Sequence, residues 1–143
     1  MSRKITIIGA GQVGSTVAYA LTLKQIASEI VIIDIVKEKA MGEAMDIRQG
    51  TPFIGPVYVH DGDYEDAKDS DIVVFTSGVG RKPGQSRLDL TQTNVDITKS
   101  VIPQITKAAP NALYVIIANP VDILTYQFVK TSGIPANHIF GTG

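Results

Sequence analysis

Short apolar runs alternate along the chain with longer segments whose apolar residues recur at helical spacing. The runs are almost continuous in Ile and Val, which is typical of parallel strands buried on both faces. They predict strands at Lys4–Ile8, Ile30–Ile33, Tyr58–His60, Ile72–Phe75, Tyr114–Ile117 and His138–Phe140. The segments between them predict helices at Gln12–Leu23, Lys37–Gln49, Leu88–Ala109 and Pro120–Thr131. This alternation predicts an α/β fold, a doubly wound parallel six-stranded sheet with the strand order 3-2-1-4-5-6.

Three helical details follow from the same pattern. One stripe of the helix Gln12–Leu23 is expected to face the sheet, and it carries Val13, Val17, Ala20 and Leu21. Pro103 is expected to kink or break the third helix, because proline removes a main-chain hydrogen bond. Pro120 suits the first turn of the fourth helix, where the missing N–H costs nothing.

The first predicted strand runs directly into the turn Gly9-Ala10-Gly11-Gln12-Val13-Gly14, and the second ends on Asp34, twenty residues after Gly14. A strand, a glycine turn, a helix and a second strand that ends in an acid form the Rossmann pattern for binding a dinucleotide. Gly9 permits the tight turn, and Gly11 lets N–H groups approach the pyrophosphate. Gly14 allows the helix to pack closely, and the positive end of that helix faces the phosphates.

Asp34 predicts which dinucleotide is bound. Its carboxylate would accept hydrogen bonds from the adenosine ribose hydroxyls and would repel a 2′-phosphate. NAD is therefore expected as the cofactor, in preference to NADP. The alternative is a turn without a phosphate ligand in another parallel α/β fold.

Composition excludes several other functions. The 143 residues suffice for one domain, and a net charge of −1 with scattered acids and bases gives no basic stripe for nucleic acid. There is no cysteine, and His60 and His138 have no partners at ligand spacing, so we expect no metal site. The first apolar run is too short for a signal peptide and nothing approaches a membrane span, so a cytoplasmic protein without membrane contact is expected.

A glycine-rich loop follows the fourth predicted strand, and Arg81 and Arg87 bracket it. The loop leaves the carboxyl edge of the sheet, where ligands bind in open α/β folds. Two guanidinium groups on a glycine-hinged loop are suited to closing over an acidic substrate. A solvated basic loop without a ligand is the alternative.

The segment Gly80–Leu90, the glycine turn and the motif Ala118-Asn119-Pro120-Val121-Asp122 together resemble the NAD-dependent lactate/malate dehydrogenase family. The resemblance covers essentially the whole chain and is closest to the lactate-dehydrogenase-like malate dehydrogenases of bacteria. In that family the first arginine position of the loop distinguishes the substrates. Lactate enzymes carry glutamine there, whereas malate enzymes carry an arginine that pairs with the second carboxylate of oxaloacetate. The resemblance therefore implies a dicarboxylate substrate, malate or oxaloacetate, recognised by Arg81. An unpaired carboxylate in a closed site would be costly, which agrees with this assignment.

The resemblance also implies roles for further residues. Arg87 would polarise the substrate carbonyl, and Asn119 would donate a hydrogen bond to the substrate. For Asn119, capping of the following helix is the alternative or an additional role. The Asn119–Pro120 bond is commonly cis in the family. The cofactor-contacting positions are Gly9, Ala10, Gly11, Gln12, Val13, Gly14, Asp34, Asn94, Ile117, Ala118 and Asn119.

The family's catalytic base is a histidine in the half that follows residue 143, and neither His60 nor His138 matches its motif. The resemblance thus implies that residues 1–143 are the dinucleotide-binding half of a malate dehydrogenase, with no catalytic residue of its own and negligible turnover. Homo-oligomer formation through the helices Lys37–Gln49 and Leu88–Ala109 is also implied. The alternatives are a lactate or other 2-hydroxyacid dehydrogenase, and a stand-alone NAD-sensing module.

Overall fold

The computed structural model describes residues 3–80 and 82–143, over which six parallel strands form one sheet. The strands are β1 Lys4–Ile8, β2 Glu29–Ile33, β3 Tyr58–Asp61, β4 Ile72–Phe75, β5 Leu113–Ile116 and β6 Ile139–Gly141. The helices are α1 Gln12–Leu23, α2 Lys37–Ile54, α3 Arg87–Ala108 and α4 Val121–Thr131, with short 3₁₀ helices at Tyr64–Ala67 and Ala136–His138. The strand order β3-β2-β1-β4-β5-β6 confirms the predicted doubly wound α/β sheet.

The core lies in two layers, one on each face of the sheet. Successive residues of a strand face opposite sides, so neighbours such as Ile7 and Ile8 belong to different apolar clusters. Helices α1 and α2 cover one face through small residues, among them Ala18, Ala40 and Ala44. Helices α3 and α4 cover the other face, where Phe75, Tyr114 and Phe128 are the largest buried side chains.

The predicted sheet-facing stripe of α1 is correct only in part, because Val17 and Leu21 pack against the core while the other two predicted residues do not. The buried residues of this helix are Gly14, Ala18 and Thr22, whereas Val13 is 52% exposed and Ala20 is also exposed. The small side chains of Gly14 and Ala18 let this side of the helix approach the sheet closely. The hydroxyl of Thr22 donates to the carbonyl of Ala18 at 2.8 Å, which removes the main cost of burying it.

Two prolines lie inside helices without ending them. The predicted interruption at Pro103 is wrong as a break, since α3 runs on to Ala108. Helix α2 extends past the predicted Gln49 and includes Pro52. Pro52 cannot donate to the carbonyl of Arg48, and the hydroxyl of Thr51 donates to that carbonyl instead, at 2.8 Å. Over residues 3–80 and 82–143, no helix combines the length and the apolar character needed to cross a bilayer.

Candidate dinucleotide-binding site

The glycine turn connects β1 to α1 at the carboxyl edge of the sheet. The N–H of Gly9 donates to the carbonyl of Ile33 at 2.7 Å, which joins the turn to the end of β2. Gly9 has φ +106°, and a Cβ there would lie 2.8 Å from the hydroxyl oxygen of Thr76. Both the backbone conformation and the crowding therefore require glycine at this position.

Gly11 and Gly14 differ in what surrounds them. A Cβ at Gly14 would collide with the carbonyl oxygen of Gly9, so the close contact of α1 with the turn depends on this glycine. A Cβ at Gly11 would meet nothing within 4 Å. The fold itself leaves space above Gly11, in front of the first N–H groups of α1, which have no acceptor within the helix. That space is where an anion is most favourably held.

Asp34 lies beside the turn, directly after β2. One carboxylate oxygen accepts from the N–H of Ala10 at 2.7 Å and the other from the N–H of Val36 at 2.9 Å. The carboxylate is half-buried and each oxygen keeps a lone pair for another donor. The charge of Asp34 also acts on Tyr64. Burial raises the pKa of the Tyr64 hydroxyl, and the negative charge of Asp34 raises it further. An acidic acceptor is thus held in one orientation next to the glycine turn.

Thr76 is a site residue that the sequence patterns did not reveal. It follows β4, and its hydroxyl lies 2.9 Å from the carbonyl oxygen of Ile8 and 3.1 Å from that of Gly9. Its single proton is shared between these two acceptors and ties the glycine turn to β4. The predicted strand order offered a signal, because it places β4 next to β1 and so Thr76 next to the turn.

The second half of the site is the turn between β5 and α4. The N–H groups of Ile117 and Ala118 donate to the carbonyl of Phe75 at 2.9 and 3.2 Å, which holds this turn against the end of β4. Asn119 follows and is exposed, and the Asn119–Pro120 bond is cis. The first helical residue of α4 is Val121 and its cap is Pro120. The prediction that Asn119 caps α4 is therefore wrong.

Asn94 connects this turn to the loop after β4. Its amide nitrogen donates to the carbonyl of Asn119 at 2.7 Å, and its amide oxygen accepts from the N–H of Val79 at 2.8 Å. Arg87 is exposed and is the first residue of α3, with Ser86 as the helix cap. Arg81 lies outside the described residues. The structure thus brings Asn94, Asn119 and the loop backbone together.

Neither histidine belongs to this edge of the sheet. His60 is hydrogen-bonded to Glu29, the first residue of β2, at 3.0 Å, and His138 precedes β6. His60 thus lies on β3 with its ring against the start of β2, and His138 lies before the start of β6, whereas the glycine turn, Asp34 and Asn119 all follow strand ends. Among the described residues no three acidic or histidine side chains converge to hold a metal ion.

The glycine turn, Asp34 and the turn after β5 all lie at the carboxyl edge of the sheet, on the two sides of the line between β1 and β4 where the strand order reverses. These features define the class of the protein, a doubly wound α/β domain that binds a dinucleotide. The family described as lactate/malate dehydrogenase, NAD binding domain, matches residues 3–141, and the chain belongs to it. NAD is the cofactor of this domain, as predicted.

Named relatives include both lactate and malate enzymes. An L-lactate dehydrogenase of Clostridium perfringens is 53% identical over 142 residues, which cover 99% of this chain and 45% of the relative. The apo malate dehydrogenase of Picrophilus torridus is 41% identical with a TM-score of 0.95, covering 100% of this chain and 46% of that one. The malate dehydrogenase of Archaeoglobus fulgidus in complex with NADH is 41% identical with a TM-score of 0.92, covering 98% and 48%. The chain spans about half the length of the curated relatives it matches.

Proposed function

We propose that residues 1–143 form the cofactor half of an NAD-dependent 2-hydroxyacid dehydrogenase and hold NAD(H) across the carboxyl edge of the sheet. The adenosine ribose binds Asp34, and the pyrophosphate binds the N–H groups of 9–14 at the start of α1. The nicotinamide lies against Ile117, Ala118 and Asn119. Asp34 carries this proposal, because the N–H groups of Ala10 and Val36 fix its carboxylate beside the glycine turn.

A calorimetric titration of the chain with NADH and with NADPH tests the cofactor site. We expect NADH to bind at least about tenfold more tightly, because a 2′-phosphate would meet the charge of Asp34. The variant Asp34→Asn should reduce this preference, whereas Asp46→Asn, which removes a charge from an exposed position of α2, should leave it unchanged. Equal binding of the two cofactors would contradict the role of Asp34, and binding of neither would contradict the site.

For the substrate we propose a dicarboxylate, oxaloacetate or malate. Arg81 supports this proposal from the sequence, because a bidentate guanidinium offsets the desolvation of a second carboxylate in a closed site. Arg87 would stabilise the negative charge that develops on the carbonyl oxygen of the substrate, to which bound NADH would supply a hydride. The second candidate is pyruvate, and the 53% identity to an L-lactate dehydrogenase favours it.

A chimaera decides between the two substrates. The chain is joined to the remaining part of the Clostridium perfringens L-lactate dehydrogenase, and kcat/KM is measured for oxaloacetate and pyruvate. We expect a preference for oxaloacetate that Arg81→Gln reverses, while Lys82→Gln in the same loop leaves it unchanged. A preference for pyruvate before any substitution would establish the lactate alternative.

We also propose that the chain alone does not catalyse hydride transfer. An acid–base group contributes roughly 10²–10⁴-fold to such a reaction. His60 lies on β3, the edge strand farthest from β5 and Asn119 on that side of the sheet, and His138 lies before the start of β6, whereas Asn119 follows the end of β5. Oxidation of NADH by the isolated chain in the presence of oxaloacetate would contradict this assignment.

A further inference from the structure

An ion pair connects the start of α2 to the turn after β3. The ammonium group of Lys37, the first residue of α2, contacts both carboxylate oxygens of Asp63, with Nζ 2.8 Å from Oδ1 and 3.1 Å from Oδ2. The hydrogen bond to Asp63 and the negative charge of that carboxylate raise the pKa of Lys37, so this group remains a cation at neutral pH. Its charge is therefore matched by one specific acid.

Asp63 is the fixed partner in this pair, because its backbone is anchored on both sides. The N–H of Gly62 donates to the carbonyl of Ile32 in β2 at 3.1 Å. The N–H of Asp63 donates to the carboxylate of Asp66 at 2.8 Å, and the N–H of Asp66 donates to the carbonyl of Asp63 at 3.0 Å. Lys37 carries its ammonium on a flexible stem and is 71% exposed, so it is the partner that adapts.

The ion pair lies next to Asp34. Lys37 follows Asp34 by three residues, and one oxygen of the Asp34 carboxylate accepts from the N–H of Val36, the residue between them that precedes α2. On the other side, burial and the charge of Asp34 raise the pKa of Tyr64, the residue that follows Asp63. Each member of the pair is thus adjacent in sequence to a residue on which Asp34 acts. The pair borders the position proposed for the adenosine ribose.

A free lysine at this position would oppose the effect of Asp34. The 2′-phosphate of NADP carries about two negative charges, which the Asp34 carboxylate repels and an unpaired ammonium attracts. Since Asp63 contacts the ammonium through both oxygens, the side chain of Lys37 is held at the turn after β3 and the pair has no net charge. The attraction for a 2′-phosphate is thereby removed.

We infer that Asp63 is a second specificity-determining residue for the cofactor, which favours NAD over NADP by holding Lys37 and cancelling its charge beside the adenosine ribose. This inference rests on the proposed position of the ribose at Asp34. The two acids act differently, because Asp34 repels a 2′-phosphate directly whereas Asp63 withholds a cation from it. The ribose hydroxyls of NAD bind Asp34 alone, so the affinity for NAD does not depend on Asp63.

The variant Asp63→Asn tests this role, since it removes the charge and keeps the size of the side chain. NADH is titrated without and with excess NADPH, so that weak binding of NADPH is also measured. We expect NADPH to bind about threefold to fivefold more tightly, as for one exposed ionic contact, and NADH to change by less than about twofold. The control Asp46→Asn removes a charge from an exposed position of α2 and should change neither affinity.

A double variant separates the release of Lys37 from the loss of one negative charge. In Lys37→Gln there is no ammonium to release, so the addition of Asp63→Asn should change the affinity for NADPH by less than about twofold. A gain of the same size with and without Lys37 would overturn the inference, because it would show only weaker general repulsion.

The remaining outcomes distinguish this inference from the proposed site. If Asp34→Asn reduces the preference for NADH and Asp63→Asn does not, the site is supported and the role of Asp63 is overturned. Equal weakening of both cofactors in Asp63→Asn would also overturn it, because a damaged turn has that effect. A wild-type chain that binds neither cofactor would overturn the proposed site and the inference with it.

Discussion

The glycines of the turn after β1 are required for different physical reasons. At Gly14 the requirement is internal, because a side chain would strike the carbonyl oxygen of Gly9. At Gly11 nothing within 4 Å would obstruct a Cβ, so the protein's own packing does not demand glycine. A ligand that approaches the backbone closely explains a glycine in open space. Stability and cofactor affinity should therefore respond separately to substitution at these two positions.

The pair Gly11→Ala and Gly14→Ala tests this separation. We expect Gly11→Ala to lower the free energy of unfolding by less than about 1 kcal/mol, the usual cost of alanine at a helix cap, yet to weaken NADH binding severalfold. Gly14→Ala should cost about 3 kcal/mol or more through overpacking. Urea unfolding and NADH titration of both variants provide the measurements. A Gly11 variant that binds NADH normally would contradict the explanation.

Polar side chains of the strands β1, β2 and β3 form a row near the amino ends of β1 and β2. Lys4 and Glu29 are paired in register and their charged groups are 3.2 Å apart. His60 on β3 donates to the same carboxylate oxygen at 3.0 Å, and the ring of Tyr58 stacks on its ring at 4.6 Å. Burial alone would raise the pKa of Glu29, but hydrogen bonds from His60 and Lys4 outweigh it and hold the pKa below its usual value.

This row makes the attachment of the edge strand sensitive to acid. A carboxyl group whose pKa is lower in the folded state stabilises the fold above its unfolded pKa, and this contribution disappears as the pH falls through the folded value. We expect Glu29→Gln to lower stability at neutral pH by less than about 1 kcal/mol, because the carboxylate is partly open to water.

Urea unfolding of the wild type and Glu29→Gln between neutral pH and values well below 4.5, the usual pKa of a glutamate, checks this expectation. The difference between the two proteins should shrink as the pH falls. The control Glu43→Gln removes one charge from α2 and should show no comparable pH dependence. A difference that stayed constant with pH would rule out the ionic contribution.

For the domain as a whole, the two halves of the sheet meet between β1 and β4, and the predicted cofactor residues follow strand ends on both sides of that line. The outer surface of α2 has a different character, because Met41 and Met45 are 46% and 42% exposed, one helical turn apart. Exposed apolar side chains on a helix favour association. We propose α2 as a contact surface between copies of this chain.

Analytical ultracentrifugation tests this surface. We expect the wild-type chain to self-associate with rising concentration and Met45→Glu to remain monomeric, because the new charge would have to be desolvated in the contact. The control Lys39→Gln changes the net charge by the same amount at an exposed position that lies two residues before Met41 and faces another side of α2. A wild-type chain that stayed monomeric at high concentration would contradict the proposed contact.

Local patterns in the sequence were sufficient for the strands, their order and the cofactor class. Buried parallel strands produce unbroken apolar runs, and their number and the connecting helices leave few topologies. The glycine turn and Asp34 were visible because each is tied to the end of one strand, a short-range relation. The cofactor followed from these residues, whereas the family followed from the glycine turn together with the segment Gly80–Leu90 and the motif at 118–122.

Long-range packing determined what those patterns did not contain. The buried face of α1 depends on how closely the helix approaches the glycine turn, so Gly14, Ala18 and Thr22 are buried in place of the predicted Val13 and Ala20. The partners of Thr76 and Asn94 lie 67 and 25 residues away, at Gly9 and Asn119. Hydrophobic periodicity describes one element at a time, whereas these contacts form only when separate elements meet at the same edge of the sheet.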